Sequence, residues 1–137
     1  MNALQQFLLN SNVKDLKKVI NLGGRLADYP ITIRALDGDK YNTFQQMCIE
    51  NPNSAKKRRF NSKKFHELIC IECLAEPSMK DAEFLQMARQ QKGVADSTQL
   101  LYHCFLAGEI ATIAEQALRL SGFDRDVEEE MDEVKNS

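Results

Sequence analysis

The sequence predicts an α+β fold that is predominantly helical: a short N-terminal helix, one β-hairpin, then about five helices and an acidic C-terminal tail. Three observations carry this. Apolar residues recur at three- and four-residue spacing through most of the 137 residues, the mark of helices that bury one face. In "ITIRA", residues 31–35, apolar and polar residues alternate instead, as in a half-buried strand. The last fourteen residues, "DRDVEEEMDEVKNS", are rich in acid and poor in apolar residues, so alone they lack the means to build core.

In chain order, Leu4, Phe7 and Leu8 place a short amphipathic helix over Asn2 to Leu9. "KKVINLGGRL" and "ITIRALDG" form a hairpin over roughly 18–36, opened by Pro30 on the second strand and turning at "ADY". Gly23-Gly24 mark a bulge or weak point in it. Asp39 is expected to cap a helix in which Tyr41, Phe44 and Cys48 share a face, and which ends before Asn51-Pro52. After a basic loop, Asn61 or Ser62 starts a helix limited by Pro77. Ser78 with Asp81 resembles a capping box, and Gly93 closes the helix that follows. Asp96 with Gln99 opens the next, where Leu100, Leu101, Cys104 and Phe105 form a stripe. The last helix, Glu109 to Leu120, buries Ile110, Ile113, Ala114, Ala117 and Leu118, with Gly122 at C′ and Phe123 folding back. Residues 1–123 are thus expected to be a single domain, its helical part roughly 39–121, with 124–137 a flexible acidic tail.

At this length one core forms without disulfides or metals. "MNALQQFLLN" lacks the basic start and apolar run of a secretory signal, and no window approaches the roughly 18 apolar residues of a membrane span. Four cysteines in that context are read as reduced thiols of an intracellular protein.

"FHELICIECLAEP", residues 65–77, raises the sharpest chemical question. On a helix His66, Cys70 and Cys73 share one side, as a zinc or redox site would need. Against that, His66 and Cys73 lie about 10.5 Å apart along the axis, and a tetrahedral site needs a fourth ligand that Cys48, His103 or Cys104 would supply only by coincidence of packing. A reactive C-x-x-C also places its nucleophile at a helix N-terminus, whereas this pair lies toward the C-terminal end among Leu68, Ile69, Ile71 and Leu74. Core packing is the expected role. There is no glycine-rich phosphate loop, G-x-S-x-G or H-E-x-x-H, and neither histidine has a carboxylate at a telling spacing. No catalytic residue, cofactor or metal ligand is assigned.

Charge is arranged in blocks. Lys56, Lys57, Arg58, Arg59, Lys63 and Lys64 surround Phe60, while Asp124, Asp126, Glu128, Glu129, Glu130, Asp132 and Glu133 crowd the tail. Such opposed blocks suit pairing within the chain or between copies, and the tail would repel DNA from the last helix. A helix-turn-helix reading of "LLYHCFLAGEIATIAEQALRLSG" fails on chemistry, since Arg119 and Gln116 are offset by Glu109 and Glu115. Nucleic acid is therefore not the expected partner. A small nucleic-acid-binding regulator using residues 56–64 and a zinc-binding interaction module remain the alternative readings.

The order of segments resembles a known family. "FLL", then "VINLGGRL…ITIRAL", then "DKYNTFQQMC" is similar to the N-terminal half of XkdN-like phage tail assembly chaperones. "FNSKKFHELICIECLAEPSMKDAEFLQ" resembles that family's run of an asparagine, an apolar stretch ending in Glu-Pro and then Lys-Asp-Ala, and "FLAGEIATIAEQALRLSGFD" its Leu-x-Gly-Glu helix closing on Gly-Phe. Nearly the whole chain is covered. The Cys70–Cys73 stretch falls where the family places aliphatics, and Gly23-Gly24 replace its more usual polar pair. The resemblance implies a non-enzymatic assembly factor of a tailed phage or prophage, without cofactor, acting in the bacterial cytoplasm. Its implied partners are the tape measure protein and the tail tube protein, with self-association, and it is implied to be absent from the mature virion. Candidate contacts are Phe7 on the first helix, the cations Lys56, Lys57, Arg58 and Arg59, and the acids Glu128, Glu129 and Glu130. Such chaperones are often made in two lengths by frameshifting, and Val134-Lys135-Asn136 can be encoded as GTA AAA AAC, which contains a slippery heptamer.

Overall fold

The computed structural model describes residues 1–123, so the expected acidic tail lies outside the described residues. The fold is α+β and mostly helical. Six α-helices are present among the described residues: α1 Ala3–Asn10, α2 Gly38–Met47, α3 Ser62–Cys73, α4 Ala82–Lys92, α5 Ser97–Cys104 and α6 Ala107–Leu120. Strands β1 Lys17–Ile20, β2 Ile31–Arg34 and β5 Leu74–Glu76 form one antiparallel sheet in the order β1-β2-β5, and β3 Ile49–Glu50 pairs with β4 Arg59–Phe60.

The expected alternation holds in the central strand: Ile31 and Ile33 are buried in the core, and Thr32 and Arg34 alternate with them, half-buried. β1 pairs with it from Lys17 opposite Arg34 to Ile20 opposite Ile31. The turn differs from expectation. The strands are joined not at "ADY" but by residues 21–30, which include a 3-10 turn, Gly24–Leu26. Gly23 and Gly24 lie beyond the end of β1, with φ of 73° and 54°, so they serve the loop and not a strand bulge; left-handed φ is where glycine is strain-free. The irregularity of the sheet falls between Thr32 and Ile33, where β2 meets β5.

That third strand corrects a second expectation. The helix begun at Asn61 was expected to run toward Pro77, but it ends at Cys73 and the chain continues extended as Leu74–Glu76. Leu74 pairs with Ile33 and is itself buried; sheet pairing outweighs another turn of helix at this point. Two caps also move. Asp37, not Asp39, accepts the Lys40 N–H at 2.7 Å, and Asp81, not Ser78, accepts the Phe84 N–H at 2.9 Å; in each case the carboxylate satisfies an orphan donor of the first turn. Asp96 caps α5 through Gln99 N–H as expected, at 2.9 Å. α6 starts two residues earlier than Glu109, at Ala107. Gly93 closes α4 with φ 69°, and past Gly122 the Phe123 N–H donates to Leu118 O at 3.0 Å.

α3 is the centre of the packing. Phe65, Ile69, Cys70 and Cys73 form its buried stripe, which packs most extensively on α6 and also on α5 and α2. α6 answers with Ile110, Ile113, Ala114 and Ala117, and α5 with Leu100 and Leu101. Ile31, Ile33 and Leu74 close the same cluster from the sheet. No polar or charged residue is buried among the described residues, so the interior is held by apolar burial.

Candidate protein-interaction surface

The N-terminal segment stands apart from that core. α1 caps itself: the Gln5 N–H donates to Asn2 Oδ1 at 2.8 Å and the Asn2 N–H to Gln5 Oε1 at 2.9 Å, a capping box. At the other end the Ser11 N–H donates to Phe7 O at 2.9 Å. Yet no residue of α1 is buried. Leu4, Phe7, Leu8 and Leu9 are each more than 60% exposed, and Leu16 and Val19 continue the apolar surface toward β1. Phe7, Leu8, Val13 and Leu16 line a groove of about 420 Å³ between the helix and the 3-10 turn Val13–Asp15. An eight-residue helix is marginal in water alone, and large apolar patches on a protein's surface mark sites of association. Phe7, singled out from sequence, is exposed on this face.

The basic run is structured rather than a plain loop. Ile49 pairs with Phe60 and Glu50 with Arg59, so Lys56, Lys57 and Arg58 lie on the connection of a short hairpin, with Arg59 in its second strand and Lys63 and Lys64 on α3. Asn51, at φ 54°, donates through Nδ2 to Lys57 O at 3.0 Å, and the Arg58 N–H donates to Ser54 O at 2.8 Å. Lys56, Lys57, Arg58 and Arg59 with Asn51 line a depression of about 520 Å³. Arg59 Nε lies 3.3 Å from Glu50, while Lys56, Lys57 and Arg58 have no acidic partner among the described residues. Phe60 turns onto Phe65, ring centroids 5.4 Å apart. The Asn61 N–H donates to Cys48 O at 2.7 Å, fixing the hairpin to the end of α2. Glu128, Glu129 and Glu130 lie outside the described residues.

The structure does not bring the His66–Cys70–Cys73 set together. His66 is exposed while Cys70 and Cys73 are fully enclosed, and no group of three or more His, Cys, Asp or Glu side chains among the described residues is placed to hold a metal. Cys70 Sγ donates to Ile110 O at 3.4 Å. Burial pushes both thiols up to about 12, the reverse of what a reactive thiolate requires. His66 instead lines a shallow depression of about 280 Å³ with Lys63, Tyr102 and Ile110. There the Tyr102 hydroxyl donates to Glu67 Oε1 at 2.6 Å. Partial burial and that carboxylate push the phenol up to about 12, so it stays a donor.

One tie was not legible in the sequence. Arg25, from the β1–β2 connection, donates through Nη2 to Cys104 O at 2.7 Å and to Glu109 Oε1 at 2.6 Å. The same Glu109 oxygen accepts the Leu106 N–H at 2.8 Å. Burial alone would raise the Glu109 carboxyl, but the Leu106 N–H and Arg25 outweigh it and hold it below its usual value. The Leu-x-Gly-Glu sequence at 106–109 therefore caps α6 from its third residue and fastens the sheet's long connection to the helices. Glu109 three residues after Leu106 was a readable cap signal; nothing in sequence pointed to Arg25.

No helix among the described residues is long and apolar enough to cross a membrane. The model of the phage XkdN-like tail assembly chaperone family matches residues 4–135. No curated protein matches the chain. Among solved structures, the crystal structure of the protein yqbn is similar, with a TM-score of 0.61 over 90% of this chain and 99% of that one, at 17% sequence identity; a likeness at that identity is one of fold.

Proposed function

The chain belongs to the phage XkdN-like tail assembly chaperone family, and from that premise we propose that it is a non-enzymatic chaperone that binds the tape measure protein while the tail tube assembles. The observation that carries the reading is the self-capped, wholly exposed α1 with its apolar face. A tape measure is a long helical rod whose apolar stripes aggregate unless covered. α1 and the groove beside it offer the complement: an amphipathic helix and an apolar trough, the two halves of helix-in-groove recognition. Several copies side by side along one rod gain from multivalency even where each contact is weak. Tail tube subunits then displace the chaperone as they polymerise, so the protein works in the bacterial cytoplasm and is left out of the finished virion.

Co-expression with the tape measure protein of the same phage tests this. The expected result is a soluble complex that purifies together, and the chain undetectable by mass spectrometry in purified virions. A tape measure that aggregates regardless, or that is soluble without the chain, refutes the reading.

A further inference from the structure

The electrostatics of the chain are divided at Phe123. Residues 1–123 carry sixteen basic and thirteen acidic side chains, a balance of +3, while 124–137 carry seven acids against Arg125 and Lys135, a balance of −5. The positive excess is concentrated on the β3–β4 hairpin, where Lys56, Lys57 and Arg58 have no acidic partner among the described residues and border an open depression with Arg59.

The acidic segment also departs close to that hairpin. Ring-to-ring steps of 4.9, 5.6 and 5.4 Å lead from Phe123 through Tyr41 and Phe65 to Phe60, so laid end to end they put Phe123 within about 16 Å of Phe60. Phe60 follows directly on Arg59. Fourteen residues reach up to about 46–50 Å when extended, several times the separation. Glu128, Glu129 and Glu130 come five to seven residues after Phe123, about 17–25 Å of extended chain, enough to reach the Arg59–Phe60 end of the depression.

We infer that the basic hairpin is a docking site for the chain's own acidic segment 124–137, whose carboxylates neutralise Lys56, Lys57 and Arg58. Single surface ion pairs are weak, but covalent linkage at this range gives an effective concentration in the millimolar range, and several pairs act on one segment. So occupied, the hairpin no longer offers its four cations to the phosphates of nucleic acid, the anions they would otherwise attract. The inference is independent of the chaperone reading, since it concerns the monomer without any partner.

Carbodiimide coupling of the dilute full chain, followed by peptide mass spectrometry of the monomer band, tests it. Expected are links from Lys56 or Lys57 to Glu128, Glu129 or Glu130 at low salt, falling severalfold near 1 M, where the Debye length shrinks to about 3 Å. In a second measurement, the full chain carrying Glu128→Gln, Glu129→Gln and Glu130→Gln is compared with the unaltered one by amide NMR. Outside the substituted segment itself, shifts confined to residues 51–60, with α4 unmoved, support the site. Links found only in a dimer band transfer the segment to a second copy and overturn the intrachain assignment. Absence of both links and shifts overturns it outright, as does tight, salt-sensitive binding of duplex DNA by the unaltered chain.

Discussion

Replacing Phe7 with alanine separates binding from folding. Phe7 is 65% exposed, so on a side chain of roughly 200 Å² it presents about 130 Å² to solvent. Most of that is lost on truncation to alanine. At about 25 cal/mol per Å² its burial under a partner is worth ~3 kcal/mol, on the order of a hundredfold in Kd. The same substitution removes no core contact, since no residue of α1 is buried, and alanine is the better helix former. Stability is therefore expected to stay within about 0.5 kcal/mol of the unaltered protein. The assay is paired: thermal unfolding of the isolated chain, and titration against a soluble tape measure fragment. A Tm lower by several degrees would show that Phe7 packs against the fold and refute the exposed-arm geometry. An unchanged Tm with unchanged affinity would leave the geometry but remove the arm from the binding surface.

Acid should act through Glu109 and Glu72. At Glu72 burial is outweighed by the Lys80 hydrogen bond, and both carboxyls are held below their ordinary value of 4.5. Their contribution is complete above that value and is lost as pH falls through the lower folded one; Glu109→Gln should flatten this acid limb in urea melts recorded from pH 6 to pH 3. Gly93→Ala is expected to cost about 1–2 kcal/mol through its left-handed φ of 69° alone, because a Cβ there meets nothing within 4 Å; a neutral result by chemical denaturation would contradict that conformation. Cys70 and Cys73 should react with a disulfide reagent only as fast as the protein unfolds, and the half-buried Cys104 sooner. Fast labelling of either buried thiol in native buffer would show that α3 opens locally.

The helical part was legible because long segments with a steady 3.6-residue period leave little choice of face, as in Ile110, Ile113, Ala114 and Ala117 of α6. What escaped was decided by partners distant in sequence. Leu74–Glu76 reads as more of the preceding helix until β2 is there to pair with it. Two-residue strands such as Ile49–Glu50 and Arg59–Phe60 have no period at all, so the basic run looked like an open loop. The caps slipped because both Asp37 and Asp39, and both Ser78 and Asp81, are competent N-cap types within a few residues of one another. At the candidate surface Phe7 could be named, but the spacing of Leu4, Phe7 and Leu8 gives a helix face without saying whether core or partner covers it.

The self-contained caps of α1 have a bearing on how such a molecule changes over generations. A helix closed by Asn2 and Gln5 at one end and Ser11 at the other borrows nothing from the domain behind it. Under the proposed function, substitutions on its apolar face would be screened by the partner alone, since no residue of α1 is buried in the fold. Such an arm would be free to drift with a binding partner, while the α3–α6 interior stays answerable only to itself.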